Sequence, residues 1–441
     1  MIALSKLTAM VRMKPMLQQI LLLATFLALP IGAANAAWTL KVISSFNGTN
    51  GSIPTGGLIF DPAGNLYGTT AAGGKANAGT VFRLMPHNAG KTAWIETVLA
   101  SFNGGSNGSR PYGADLIRDM AGNLYGATEH GGKFGLGAVF KLALPAAGKI
   151  AWTETVLLSF SGGSNGSHPN GALISDATSN FYGTAQLDGN DTACPGNSGQ
   201  GVLPGCGVVY KLTPPAAGGT AWTETVLAAF SGADGSHPQG ALIFDAAGGL
   251  YGTTAAGGKT GAGTVFRLNP PAAGQTRWTK TILTAFNETD GSSPSANLIF
   301  DAAGNLYGTT YSGGTFGFGT VFKLTPPAVG KTTWKKTVIA SFNWTDGACP
   351  DGGLVFDAAG NLYGTTTEGG SSGAAEGAVF KLTPPRASNG AWTETVIAAF
   401  DGATYGSAPI RGLVFDKAGN LYGTASGYGP SGHGTVFELT P

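Results

Sequence analysis

Three prolines share one context: Arg110 precedes Pro111, His168 precedes Pro169 and His237 precedes Pro238. Tyr112, Asn170 and Gln239 follow the same prolines, and Asp115 comes shortly after Tyr112. Amides, a phenol and a guanidinium beside aromatic rings suit a carbohydrate, which offers hydroxyls and an apolar C–H face. Phe134, Tyr311, Phe316, Phe318, Trp344, Tyr405 and Tyr428 could supply such rings from neighbouring loops. The same region could instead do acid–base chemistry on a polysaccharide, drawing on Asp115, Asp351, His168 or His237. A glycoside hydrolase needs two carboxylates about 5 to 10 Å apart, and Asp115 and Asp351 fall in the second and sixth of seven repeat units. Loop tips that bind nothing would share this composition, so the spacing proposes a site without proving one.

Other chemistries fall away. Zinc on His168 and His237 would lack a third ligand, so no metal is assigned. Asp188, Asn190 and Asp191 gather oxygens but lack an EF-hand spacing. Gly257-Gly258-Lys259-Thr260 ends like a phosphate-binding loop, yet Thr253 stands where its first glycine belongs and a strand follows it. With no helix N-terminus to receive a phosphate, nucleotide binding is excluded and no cofactor is expected. Cys194 and Cys206 flank a Pro/Gly-rich insertion, a plausible disulfide in an oxidising compartment. Cys349 is left as a free thiol.

These residues are held by a repeat. Trp38, Trp94, Trp152, Trp222, Trp278, Trp334 and Trp392 recur at intervals of 56, 58, 70, 56, 56 and 58 residues. Each tryptophan opens an alternating run such as WTETVLASF, followed by a Gly/Ser/Asp/Pro loop, GLIFD, NLYGTT, a glycine-rich stretch and TVFKL. Four short β-type runs per unit, bounded by Gly, Pro, Asn and Asp, predict a four-stranded antiparallel sheet. Seven such units predict a seven-bladed β-propeller, an all-β fold spanning residues 37–441. GLIFD is apolar on both faces and reads as the innermost strand, buried between blades; WTETVLASF alternates and reads as the outermost. The chain opens with an outer strand, Trp38–Phe46, and closes with three inner ones, so the N-terminal strand should complete the seventh blade and close the ring. Closure removes the open sheet edges that template aggregation.

The repeat also separates scaffold from candidate site. Asp61, Asp176, Asp245, Asp301, Asp357 and Asp416 each precede a turn such as AAGN and are expected to cap it. The recurring Tyr and Phe of the strands are expected in the core. Strand alternation puts the loop entering the innermost strand on the same face as the loop between the second and third strands, and variation concentrates there. Residues just before the loop proline are Ile53, Arg110, His168, His237, Ser293, Cys349 and Ala408; those just after are Thr55, Tyr112, Asn170, Gln239, Ser295, Asp351 and Ile410. Asp115 and Asn297 replace small residues just before the inner-strand leucine. Blades two to four thus offer Arg110, Tyr112, Asp115, His168, Asn170, His237 and Gln239 near one side of the channel mouth. The pre-proline position lies outside the strands, so its replacement should cost little stability.

Composition narrows the partners. Charged residues make up 11% of the chain, against roughly 25% in ordinary domains, and net charge is +1. No basic cluster exists to neutralise phosphates, which excludes nucleic-acid binding. A polysaccharide or an extracellular protein remains as partner. Residues 1–36 read as a secretory signal: Lys6, Arg12 and Lys14, an apolar run from Ile20 to Leu29, then Ala34-Asn35-Ala36 as the cleavage site. Met13 or Met16 could equally start it. Ten apolar residues fall short of the roughly 20 a spanning helix needs, so no membrane span is expected in the mature chain. Cleavage after Ala36 would leave a periplasmic or secreted protein.

The recurring NLYGTT, the glycine-rich stretch running into TVF (Gly313–Phe322, for example) and the FNGTDGS-type loop resemble the tandem repeat of GloVer-type exported proteins. The resemblance covers all seven units. It implies a β-propeller and, in many members, a C-terminal sorting anchor; no activity is established for the family as a whole. The sequence stops at Pro441 directly after a strand, which favours a free form over a tethered one. The resulting expectation is a non-enzymatic binding module for a glycan or an extracellular protein, with a polysaccharide-acting enzyme as the alternative.

Overall fold

Each repeat folds into one twisted antiparallel sheet because its apolar runs are too short for helices and are bounded by turn residues. A computed structural model describes residues 37–86, 93–113, 115–189, 194–195, 202–203, 205–370, 373, 375–387 and 390–441. The signal sequence, Asn190 and Asp191 lie outside the described residues. All that follows concerns the unit Thr39–Thr440.

Blade 1 runs from the axis outward as Ile59–Phe60, Leu66–Thr70, Thr80–Met85 and Ile95–Ser101. The same order recurs in every blade. The seventh combines Val414–Phe415, Leu421–Ala425 and Thr435–Thr440 with the N-terminal strand Thr39–Ser45, which sets Thr39 opposite Thr440 and Ser45 opposite Thr435. The ring is therefore seven-bladed and closed by the chain's first strand. Blade 3 carries an additional strand, Ser167–Pro169, and the insertion in which Cys194 and Cys206 form a disulfide, their Cα atoms 5.4 Å apart. One expectation needs correcting. The innermost strand is not the most buried: it is two residues long and half-exposed at Ile59 and Phe60, while every residue of Leu66–Thr70 is buried. The second and third strands lie between neighbouring blades, and the first is a short lip at the axis.

The recurring carboxylates are structural. Asp61 accepts hydrogen bonds from the N–H groups of Ala63 and Asn65, the Asn65 amide and the Tyr67 hydroxyl, at 2.7–3.0 Å. Partial burial works against its ionisation, but these donors prevail and hold its carboxyl below the usual range. Asp119, Asp176, Asp301, Asp357 and Asp416 repeat the arrangement with their own Asn and Tyr.

Two contacts recur at every seam. The phenylalanine ending each outer strand packs edge-on against an aromatic ring of the next blade's third strand, as in Phe46–Phe82 and Phe286–Phe322, with centroids 5.0–5.1 Å apart in all seven pairs. The second contact joins a glycine to a proline. Gly79, Gly137, Gly207, Gly263, Gly319, Gly377 and Gly434 hold φ between +89° and +103°, and a Cβ built on any of them would lie 2.4–2.6 Å from the Cδ of the next blade's loop proline. The residue before that proline is itself left-handed, at φ +49° to +57° in all seven blades. Its N–H donates to the carbonyl just before the seam glycine, at 2.8–3.0 Å, as in Cys349 to Phe318. Single hydrogen bonds of this kind are worth about 1 kcal/mol net, but seven identical seams act together.

A slot beside each seam is filled differently from blade to blade. Lys280 extends its ammonium to Asp234 at 2.6 Å, donates to the Ala229 carbonyl and lies over the Phe230 ring; Lys336 does the same with Asp290, Ala285 and Phe286. In blades 3 and 6 the equivalent residues are Glu224 and Glu394. Burial pushes Glu224 up to about 7; burial and then the Asp346 carboxylate push Glu394 up to about 8.

Two outcomes follow. Gly319→Ala, which combines a left-handed φ with a Cβ against Pro350, should destabilise by about 2 to 4 kcal/mol in a denaturant titration. A carboxyl with a raised folded-state value stabilises while protonated. The contribution of Glu224 and Glu394 is thus complete below the ordinary value of 4.5 and is lost as pH rises through about 7 and 8. Glu394→Lys should flatten that decline and, by pairing with Asp346, add about 1 kcal/mol at pH 8.

Candidate functional site

The seam geometry decides what reaches the axis. Once the loop proline is locked against the preceding blade, the next residue heads inward toward the short first strand. Tyr112, Asn170, Gln239, Ser295 and Asp351, all at that post-proline position, line one cavity of about 250 Å³, joined by Arg110, Glu129, Gln186 and Arg411. The two remaining post-proline residues, Thr55 and Ile410, are buried.

The polar groups of this cup fall into three hydrogen-bonded sets. Arg110 Nε lies 3.2 Å from Glu129 Oε2, and its guanidinium stands 5.0 Å from the centre of the Tyr112 ring. The Gln186 amide donates to Glu129 and the Gln239 amide donates to Gln186, at 3.4 and 3.0 Å. On the opposite side Ser295 donates to Asp351. Arg411 reaches in from blade 7, donating from Nε to the Thr55 carbonyl at 3.0 Å and from Nη2 toward Asn170 Oδ1 at 3.5 Å. Burial raises the Tyr112 hydroxyl above its ordinary value, so at neutral pH it is a neutral donor.

One step further along the chain, Asp115 and Asn297 meet across the axis. Asp115 Oδ1 accepts from the Gly57 N–H at 2.5 Å, and Asn297 donates to Asp115 Oδ2 at 3.4 Å while accepting from the Ala241 N–H. These two residues tie blades 1, 2, 4 and 5 together beneath the cup. Asp115 therefore holds the channel and is absent from the cavity lining.

The structure brings together Arg110, Tyr112, Asn170 and Gln239 but not the histidines. His168 packs edge-on against His130 at 5.0 Å, and its Nδ1 lies 2.9 Å from Ser167 Oγ, which in turn donates to Asp188. Serine stands between acid and histidine here, whereas a nucleophilic serine requires histidine in the middle, so the cluster is not a catalytic triad. Burial, then His130, holds His168 below its usual value. His237 is 2% exposed, and among the described residues neither ring nitrogen has a hydrogen-bond partner. The expectation of a freely replaceable pre-proline position fails at His237. It lies at the seam where the blade 3 insertion returns through Cys206, whose carbonyl accepts its N–H. Arg110, at the same position, is 51% exposed at its side chain. The exposed rings Phe134, Tyr311, Phe316, Trp344 and Tyr428 are dispersed over the loops and none lines the cup.

Sequence comparison within the repeat could have found what was missed. Arg411 stands where other blades carry Gly56, Gly171, Gly240 and Gly352. Glu129 and Gln186 stand where blades 1 and 4 carry Ala71 and Ala255.

A seven-bladed propeller with a polar axial cup is a scaffold shared by many activities. Its repeat is more particular: the model of the Gloeobacter/Verrucomicrobia repeat matches residues 33–203 and 187–437, and the chain belongs to that family. No curated protein matches the sequence. Among solved structures, the chain is similar to a carbohydrate-active enzyme of Trichoderma reesei in its calcium form (13% identity, 92% of this chain and 96% of that one, TM-score 0.44). It is also similar to a Dyadobacter fermentans protein of unknown function (11%, 92% and 98%, TM-score 0.46) and to a candidate 6-phosphogluconolactonase of Bacteroides uniformis (13%, 82% and 88%, TM-score 0.49). Nothing about activity follows from likeness of this degree.

Burial also holds the His237 imidazole below its ordinary value of 6.5. Stability linked to this group is complete above 6.5 and is lost as pH falls below it toward the lowered folded-state value. His237→Leu should leave stability at pH 7.5 unchanged or raise it by about 1 kcal/mol, and should reduce the loss between pH 6.5 and 5 in thermal melts.

Proposed function

We propose that this is an exported, non-enzymatic binding propeller whose axial cup recognises one residue of a glycan. The observation that carries the reading is the cup itself: a phenol, two amides and a hydroxyl from four consecutive blades, with the Asp351 carboxylate from a fifth, converge on about 250 Å³. That volume is smaller than the roughly 300–1,000 Å³ of pockets for drug-sized ligands, so it suits a single sugar unit better than a peptide segment. Tyr112 offers an aromatic ring among the hydrogen-bonding groups, the pairing a sugar's two faces require. Residues 1–36 support export, and the Cys194–Cys206 disulfide suits an oxidising compartment.

A glycan array probed with the full mature chain, run beside a reducing-sugar release assay, tests this. Immobilised saccharides should be retained with no new reducing ends. Gln239→Leu, which keeps the fold but removes a cup amide, should weaken binding about tenfold, or about 1.4 kcal/mol. Release of reducing ends would instead make the cup catalytic, with Glu129 and Asp351 its carboxylates. Unchanged binding in Gln239→Leu would move the site elsewhere.

A further inference from the structure

We propose that the ligand carries a carboxylate, held by Arg411; the inference rests on the glycan reading above and narrows it to an acidic sugar of the uronate class. Arg411 is 9% exposed, a guanidinium nearly withdrawn from water. Its hydrogen bonds go to two neutral acceptors, the Thr55 carbonyl and the Asn170 amide oxygen. Among the described residues its charge has no carboxylate within ion-pair distance, whereas Arg110, Arg267, Lys280 and Lys336 each have one. A buried charge is costly unless paired, and a guanidinium does not escape the cost by deprotonating.

The acids of the cup are committed to other groups. Glu129 faces Arg110 and receives the Gln186 amide, and Asp351 receives the Ser295 hydroxyl. The remaining N–H groups of Arg411 form the planar fork that matches a carboxylate by two parallel hydrogen bonds. Charge selects among anions. Glu129 is paired with Arg110, and Asp351 also lines the cup, outside ion-pair distance of Arg411, so a dianionic phosphate would meet two fixed negative groups there. A monoanionic carboxylate on a hydroxylated ring needs one guanidinium and a set of neutral partners, which Asn170, Gln239, Ser295 and Tyr112 supply.

Calorimetry on the full mature chain decides it. Glucuronate, galacturonate and mannuronate are each titrated beside their methyl esters and the matching neutral hexoses. At least one free acid should bind tenfold or more tightly than its ester and its hexose, and the preference should shrink as salt rises. Arg411→Gly installs the residue that four other blades carry at this position, so the variant should melt as the parent does while losing the preference. If acid and ester bind equally, the carboxylate inference is wrong and the glycan reading stands. If none of the sugars or esters binds, and the glycan array is also blank, the glycan reading itself falls. Should Arg411→Gly fail to fold, the acid-to-ester ratio of the parent protein decides alone.

Discussion

The seam between blades rests on a glycine that must let a proline pass. Seven times, a left-handed glycine accepts the pyrrolidine of the next blade where no Cβ would fit, as in Gly319 beneath Pro350. The residue before the proline is forced into a conformation that most residues avoid, and it is kept there by hydrogen bonds to both blades it joins. Blade spacing, the inward heading of the next residue and the placement of the five post-proline cup residues descend from this one contact. The edge-on phenylalanine pairs add apolar burial to the seam, but they would tolerate small shifts that the glycine does not.

The fold was legible because it is written seven times. A single unit would read as four ambiguous short strands; the Trp38-to-Trp392 spacing turns them into blades, and the outer strand at Thr39–Ser45 reveals how the ring shuts. The turn-capping role of Asp61 and its equivalents was legible for the same reason. The site was legible only in part. Tyr112, Asn170 and Gln239 stand out because they vary at a fixed place beside a fixed proline. Arg411 varies too, yet its importance depends on how far a guanidinium extends across the axis, which spacing along the chain does not encode. His237 misleads because its burial comes with an insertion that its equivalents lack. Sequence equivalence gave Arg110 and His237 the same address, and the local surroundings gave them opposite exposures.

Charge is used sparingly and in separate places. At the outer seams, Lys280 and Lys336 are paired with aspartates over phenylalanine rings, while Glu224 and Glu394 occupy matching slots with no ion pair among the described residues. At the axis, Arg110 and Glu129 pair at the rim, and Asp115 holds backbone and amide donors from facing blades below. Arg411 lines the cup and donates to Thr55 and Asn170.

Ring closure also sets an order of events. Among the described strands Thr39–Ser45 comes first along the chain, yet its partner Thr435–Thr440 comes last. Until that hexapeptide arrives, the chain is an open arc with one exposed sheet edge at each end, and the contact that joins them spans nearly the whole sequence. Contacts of such separation form slowly and leave intermediates prone to association. Blades can accumulate one after another, but none of them completes the circle. The topology thus puts ring closure after the blades between them, since Thr39–Ser45 has its sheet partner only once Thr435–Thr440 is present.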